Sequence, residues 1–238
     1  MPYSINKVAA VQKQTGLKIG IVGASGVGKT PLALTTPDPS RTLIIDTDRG
    51  LKSLGNADIP VVTIEDPSQL DEVRADLAVE GCAAYDWVIL DDTSSIAKMY
   101  LDEARVIMPG NEQKWSRFEH VGRKTIETIT GFRNLPQHVV FIAKAQQNKL
   151  GQWCPHFPGQ QIEKEWPYLL DSIGYLRVVT NDQGQTQRFI QFTPDGEYNA
   201  KDRNGVLTYE QPSLSAIYNK VFGPQQQKTQ ETANVVQL

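Results

Sequence analysis

Short apolar runs recur along the chain and predict strands that are buried on both faces. They lie at residues 17–22, 42–45, 61–64, 87–90 and 139–143. Strands with no polar face are typical of parallel sheets that helices cover on both sides. The pattern therefore predicts an α/β fold with a mostly parallel sheet flanked by helices.

Helical spacing and turn residues fill the intervals between these runs. Asp66 followed by Pro67 predicts a helix start with Asp66 as the N-cap, and Leu70, Val73 and Leu77 continue at helical spacing. Further predicted elements are helices at 94–107, 115–132 and 212–222, a breaker at 108–111, and a β hairpin at 173–180 and 188–192. We expect one domain over 1–223, with the hairpin as a C-terminal appendage, and a disordered glutamine-rich tail over 224–238.

The first predicted strand runs directly into a glycine-rich segment of the GxxxxGK[ST] pattern. Its residues are Gly23, Ala24, Ser25, Gly26, Val27, Gly28, Lys29 and Thr30. The glycines let successive backbone N–H groups converge on phosphate oxygens, and a following helix N-terminus adds partial positive charge. The segment predicts a P-loop that binds ATP with Mg²⁺. Lys29 is expected to reach the β- and γ-phosphates, and Thr30 to offer its hydroxyl to the metal.

Carboxylates follow two of the predicted strands. Asp91 ends the fourth apolar run, as a Walker B carboxylate that holds Mg²⁺ does. Asp48 and Asp92 are alternatives for orienting the attacking water, and the pattern leaves that choice open. Lys144 and Gln146 follow the fifth run on one face, where a polar side chain can sense the γ-phosphate. These side chains predict ATP hydrolysis at the carboxyl edge of the sheet.

Composition and charge exclude several classes of protein. Hydrophobic residues make up 39% of the 238 residues and charged residues 21%, as in soluble globular proteins. The formal net charge of −3 excludes a polycation that binds DNA through bulk charge. No apolar run approaches the roughly 20 residues that cross a bilayer, and residues 1–15 lack a signal pattern. We therefore expect a cytoplasmic protein without membrane contact.

The two cysteines do not predict a structural site. Cys82 and Cys154 lie far apart without a CxxC partner, so no disulfide framework is predicted. His156 is close to Cys154, but no second pair of ligands accompanies them, so a metal site is not predicted either.

The chain resembles the phage-encoded RecA-like P-loop ATPases, a family that includes single-strand annealing proteins and compact recombinase relatives. The resemblance covers about residues 15–223 and rests on 23–30, 44–48, 87–92, 141–144 and the Ala-Lys-Asp-Arg at 200–203. It implies a RecA-like core that forms rings or filaments on single-stranded DNA, with ATP at subunit interfaces. In this family the position of Asp48 is usually a glutamate that acts as the catalytic base, so the resemblance favours Asp48 over Asp92.

Two loops are implied by the resemblance to face the DNA, and they correspond to residues 108–117 and 147–166. The first holds Lys114, Trp115 and Arg117. In the second, Lys149, Trp153 and Phe157 are predicted DNA contacts, because bases stack on aromatic rings while cations meet phosphates.

The resemblance also implies that the motif at 200–203 completes the ATP site of a neighbouring subunit. Lys201 and Arg203 are predicted to act in trans on the ATP of an adjacent subunit, where a cation stabilises transition-state charge. The alternative is that 201–205 forms only a charged turn.

We expect from these patterns an oligomeric ATPase that acts on single-stranded DNA in phage-type recombination or annealing. A single-strand binding protein is a further candidate partner. An ATP-driven loader or accessory switch for a replication protein is the main alternative, and a small-molecule kinase with the same P-loop is a third.

Overall fold

The computed structural model describes residues 16–79 and 84–223 of the chain. The predicted tail at 224–238, Cys82 and residues 1–15 lie outside the described residues. None of the helices in this part of the chain has the length and apolar character needed to span a membrane.

Ten strands form one sheet in the described part of the chain. They are β1 (Lys18–Gly23), β2 (Thr42–Asp46), β3 (Val61–Thr63), β4 (Trp87–Asp91), β5 (His138–Gln147), β6 (Trp153–Pro155), β7 (Ser172–Thr180), β8 (Thr186–Gln191), β9 (Lys201–Asp202) and β10 (Tyr209–Glu210). The strand order is β10-β8-β7-β1-β5-β4-β2-β3, and β6 pairs with β5 while β9 pairs with β7. Neighbours from β7 to β3 are parallel, and the other four strands are added in antiparallel orientation. The predicted α/β class is confirmed.

Helices cover both faces of the sheet. The α-helices are α1 (Ser68–Ala78), α2 (Thr93–Ile107), α3 (Lys114–Arg133), α4 (Gln161–Leu169) and α5 (Leu214–Phe222). Short 3-10 helices lie at Thr30–Thr35, Pro39–Arg41, Leu51–Leu54 and Asn111–Gln113. Along β1, Val22 packs into the apolar cluster shared with α1 to α4, whereas Ile19 and Ile21 pack into the cluster shared with Thr30–Thr35 and α5. Alternate side chains of one strand thus fill two cores.

Two predicted elements differ in detail from the structure. The predicted hairpin is present as β7 and β8, but β7 also pairs in parallel with β1 from Ser172 to Tyr175. The hairpin therefore extends the central sheet. The predicted helix after Asp66 begins one residue later than expected, at Ser68, whose N–H donates to the Asp66 carboxylate.

Candidate functional site

The glycine-rich segment 23–30 follows β1 and lies at the carboxyl end of that strand. Gly26 and Gly28 have φ angles of 77° and 99°, a left-handed region that residues with side chains disfavour. Such turns direct backbone N–H groups into an anion-binding concavity. The next element is the six-residue 3-10 helix at Thr30–Thr35, with Pro31 in its first turn. The expected contribution of an α-helix N-terminus is therefore not supported, and the loop amides are the candidate anion-binding groups.

Lys29 folds back over the glycine-rich segment. Its Nζ donates to the carbonyl oxygens of Gly23 at 2.9 Å and Ala24 at 2.7 Å. Burial lowers the pKa of Lys29, while the carboxylates of Asp92 and Asp91 act in the opposite direction. The ammonium group thus lies at the mouth of the loop, beside the acidic ends of the strands.

Thr30 and Asp91 meet at the same edge of the sheet. The Thr30 hydroxyl donates to Oδ2 of Asp91 at 2.5 Å. Desolvation raises the pKa of Asp91 to about 6, and the nearby Asp92 carboxylate adds to the shift, whereas the Thr30 hydrogen bond opposes it. A buried carboxylate that is this costly to ionise is stabilised by a cation. A hydroxyl and a carboxylate oxygen are ligands that Mg²⁺ accepts.

Asp48, Asp92 and Lys144 form an ionic cluster next to this pair. Lys144 Nζ lies 3.1 Å from Oδ2 of Asp48 and 3.4 Å from Oδ2 of Asp92. Burial acts to lower the pKa of Lys144, but the two carboxylates outweigh it and the pKa is raised. Desolvation also raises the pKa of Asp92, against hydrogen bonding from the Ser95 N–H and the charge of Lys144. The structure thus brings together the two alternatives for the water-positioning group and the predicted γ-phosphate sensor.

The two aspartates differ in exposure and in what holds them. The Asp92 side chain is 4% exposed, and its Oδ1 accepts from the Ser95 N–H at 2.6 Å as the N-cap of α2. The Asp48 side chain is 46% exposed. A carboxylate committed to a helix cap is poorly placed to turn toward a water, so the geometry favours Asp48.

Hydroxyl groups that the sequence analysis did not single out support this cluster. Thr47 Oγ1 donates to the Asp92 carbonyl oxygen at 2.9 Å and accepts from the Asp92 N–H at 3.0 Å. Ser95 Oγ donates to Asp48 at 3.2 Å and accepts from Lys144 at 3.1 Å. Their position one to three residues from the acidic strand ends was the available sequence signal.

The predicted DNA contacts in the second loop do not share one surface. Lys149 is exposed, in the turn between β5 and β6. Trp153 is half-buried, and its ring stacks on Tyr198 with centroids 6.2 Å apart. Phe157 is 4% exposed and packs 5.2 Å from the Trp166 ring. A base cannot stack on Phe157 without opening the core, so the structure contradicts that prediction.

The first loop keeps an accessible aromatic side chain. Trp115 at the start of α3 is 84% exposed, and Lys114 beside it is also exposed. Arg117 donates to the Gly110 carbonyl oxygen at 2.5 Å. The ring and the adjacent cation therefore remain candidates for a nucleic-acid contact.

The predicted trans finger is engaged within its own chain. Lys201 Nζ donates to the carbonyl oxygens of Pro167 at 2.5 Å and Leu170 at 2.9 Å, at the end of α4. Arg203 pairs with Asp171 at 3.0 Å. β9 pairs with β7 at the amino end of β7, the end of the sheet away from the glycine-rich segment. These partners and this position do not support the trans assignment, and 201–205 resembles the alternative of a charged turn.

A cleft of about 180 Å³ lies beside the glycine-rich segment. Its walls are formed by the loop, by the carboxyl half of β7 and by aromatic rings: Gly23, Ala24, Val27, Ala145, Trp153, Tyr175, Leu176, Arg177, Val178 and Tyr198. The candidate site thus combines the glycine-rich loop, the Thr30–Asp91 pair, an acidic cluster and an adjoining cleft.

Comparison with known proteins adds one finding. A family model described as an AAA domain matches residues 15–204. The match includes the glycine-rich segment and the acidic cluster. No curated protein matches the chain.

Proposed function

We propose that this chain, which belongs to the AAA domain family, binds ATP with Mg²⁺ at residues 23–30 and Asp91 and hydrolyses the nucleotide. The observation that carries the proposal is the contact between Thr30 and the buried Asp91 directly beside the glycine-rich loop. The loop suits the phosphate oxygens of a nucleotide, and the hydroxyl–carboxylate pair suits the Mg²⁺ ion that accompanies them.

Lys29 donates hydrogen bonds to carbonyl oxygens of the loop. Its hydrogen bonds to Gly23 and Ala24 are ones that phosphate oxygens can replace, because an ammonium group keeps three donors and no acceptor. Bound Mg²⁺ supplies positive charge to the phosphates as they become more negative. Lys29 adds a fixed charge in a partly desolvated place, where it is more effective than in water.

Asp48 is the group we propose for orienting the attacking water. It is half-exposed, and Lys144 and Ser95 hold it at the carboxyl edge of the sheet. Lys144 contacts both Asp48 and Asp92. A rotation of the Lys144 side chain toward a terminal phosphate would weaken these ion pairs and leave Asp48 able to accept a hydrogen bond from water.

Paired variants test the two carboxylates. Asp48→Asn is expected to bind ATP with the affinity of the wild type but to hydrolyse it about 10²–10⁴ times more slowly, the range for loss of an acid–base group. Asp92→Asn is expected to keep the cap of α2, because asparagine caps a helix about as well as aspartate, and to show a smaller fall in turnover per folded molecule. Rapid-quench single turnovers and a thermal melt separate the effects. Normal turnover in Asp48→Asn with slow turnover in Asp92→Asn would assign the role to Asp92.

We further propose that single-stranded DNA is the macromolecule on which this ATPase acts. The exposed Trp115 with Lys114 beside it supports this partner, since a ring can stack on a base while the ammonium group meets a phosphate. Assembly on the DNA is part of the same proposal and is measured as mass in solution.

Trp115→Ala tests the DNA contact, with Tyr168→Ala as the control because Tyr168 is a similarly exposed aromatic at 75%. Stacking is worth roughly 1–3 kcal/mol per base, so Trp115→Ala should bind a labelled single strand at least about tenfold more weakly. ATPase stimulation by the strand should fall with it. Equal affinities of both variants and the wild type, or stimulation by a replication protein and not by DNA, would favour a loader or accessory switch.

A further inference from the structure

The guanidinium group of Arg188 lies against the glycine-rich loop. A Cβ atom built on Gly28 would be 3.4 Å from Nη1 of Arg188 and 4.0 Å from its Cζ. Arg188 is exposed, and its guanidinium group makes no hydrogen bond or ion pair with any residue in 16–79 or 84–223. An arginine at this place has all its donors available to an incoming ligand.

Strand pairing in the same chain sets this position. Arg188 on β8 is opposite Val178 on β7, and Val178 lines the cleft beside the loop. β7 in turn pairs with β1 immediately before the loop, and a Cβ on Gly23 would be 3.1 Å from the Leu176 carbonyl oxygen. The hairpin thus forms a wall of the candidate site, and Arg188 reaches the loop from that wall.

Arg188 approaches from the flank opposite to the hydrolytic carboxylates. β7 and β8 lie on one side of β1 in the sheet, whereas β5 and β4, which carry Lys144 and Asp91, lie on the other. Contacts from this flank meet phosphates held by the loop itself. They lie on the other side of β1 from the acidic cluster, where a terminal phosphate would be cleaved.

The charge balance of the site favours a further cation even when the two positive charges of the proposed Mg²⁺ are counted. Four aspartates end or follow β2 and β4: Asp46, Asp48, Asp91 and Asp92. The lysines among them are Lys29 and Lys144, and Lys144 is already paired with two of the carboxylates. A nucleotide brings several more negative charges to this place. A planar guanidinium group suits phosphate oxygens because it can donate two parallel hydrogen bonds.

We propose that Arg188 is a phosphate-binding residue that acts in cis on the nucleotide held by residues 23–30. The inference rests on the proposed function and adds to it a residue from the β7–β8 hairpin. Because Arg188 faces the loop and not the acidic cluster, it binds diphosphate and triphosphate nucleotides alike. It therefore sets affinity and contributes little to the chemical step.

The test measures binding of fluorescent ADP and ATP analogues to wild type, Arg188→Ala, Arg188→Lys and Arg123→Ala. Arg123 is an exposed arginine of α3 that pairs with Glu127, and it serves as the matched control. Arg188→Ala should bind both nucleotides about 10- to 100-fold more weakly, the loss expected for charged hydrogen bonds. Arg188→Lys should recover part of the affinity. In Arg188→Ala the KM for ATP should rise by a larger factor than kcat falls.

The outcomes separate the two proposals. Wild-type affinity in Arg188→Ala overturns the role of Arg188 and leaves the proposed function intact, whereas a wild type that binds neither nucleotide overturns both. At an ATP concentration too low to load Arg188→Ala, mixing this variant with Lys29→Ala subunits should restore no activity beyond that of the two proteins measured separately. Recovery in the mixture would show that Arg188 acts in trans and would overturn the cis assignment.

Discussion

Replacement of Asp91 by asparagine should make the protein without ligands more stable. Desolvation raises the pKa of the Asp91 carboxyl from 3.8 to about 6, so keeping it ionised at neutral pH has a cost in folding free energy. A shift of about two units corresponds to roughly 3 kcal/mol at 1.36 kcal/mol per unit. An asparagine oxygen can still accept the Thr30 hydrogen bond but loses the stronger charged acceptor, so we expect a net gain of about 1–3 kcal/mol.

The gain should depend on pH in a defined direction. Between pH 3.8 and about 6 the folded state holds a proton on Asp91 that the unfolded state has released, so wild-type stability falls as pH rises through this window. Asp91→Asn has no carboxyl group to ionise at this position, so it does not lose this stability as the pH rises. The stability difference between variant and wild type should therefore be small near pH 4, grow toward pH 6 and stay constant above it.

Urea unfolding in EDTA at about pH 4.5 and about pH 7.5 measures this difference, with Asp182→Asn as the control. Asp182 lies exposed in the turn between β7 and β8, where a substitution should change stability by less than about 0.5 kcal/mol. Adding Mg²⁺ and ATP should reverse the order, because only the wild type keeps the metal-binding carboxylate. An Asp91→Asn protein that is no more stable than wild type at about pH 7.5, or a gain that does not shrink in acid, refutes the reasoning.

Two further substitutions address residues that the structure assigns differently from the sequence. Phe157→Ala should lower the free energy of unfolding by about 3–5 kcal/mol through a core cavity, while exposed Lys149→Ala should change it by less than about 0.5 kcal/mol; urea melts compare them. Lys201→Ala should cost about 1–3 kcal/mol, because the carbonyl oxygens of Pro167 and Leu170 lose their donor, and should leave the ATPase rate per folded molecule unchanged. A lost rate with unchanged stability would restore the finger assignment.

The central strands were predictable from the sequence because both of their faces are buried and therefore apolar. In β2 and β4, for example, Ile44, Ile45, Ile89 and Leu90 are all at most 1% exposed, so each apolar run indicated a strand covered on both sides. The shared location of the acidic residues was also predictable, because the carboxyl ends of parallel strands meet at one edge of the sheet. The contact between Asp48 and Lys144 was not predictable, because it depends on the strand order β5-β4-β2, which the sequence pattern does not specify.

The segment after β5 was misassigned as a loop because its local patterns conflict. Gly159 suggests a breaker before α4 and Pro167 suggests one within it, yet Ile162 and Trp166 lie four residues apart and are both fully buried. That spacing is the helical sign in the segment. The sequence around Phe157 has no such spacing. A single aromatic residue among polar ones has the same local pattern whether its ring stacks on a nucleic-acid base or packs in the core.

Long-range partners account for the remaining differences. Lys201 caps carbonyl oxygens 31 and 34 residues away, and Arg188 meets Gly28 across the sheet. Neither contact leaves a periodic pattern, because each depends on where β9 and β8 pair along β7. Chain order alone made Lys201 and Arg203 resemble a late interface motif.

Phosphate release from ATP by wild type and Lys29→Ala, with and without Mg²⁺, tests the central claim most directly. Lys98→Ala is the matched control, because Lys98 is an exposed lysine of α2 that pairs with Asp102. Wild type and Lys98→Ala should release phosphate only with Mg²⁺, and Lys29→Ala should fall by at least about 10²–10³-fold while melting like a folded protein. Undiminished, Mg²⁺-dependent release by a folded Lys29→Ala would contradict the assignment of residues 23–30 as the catalytic nucleotide site.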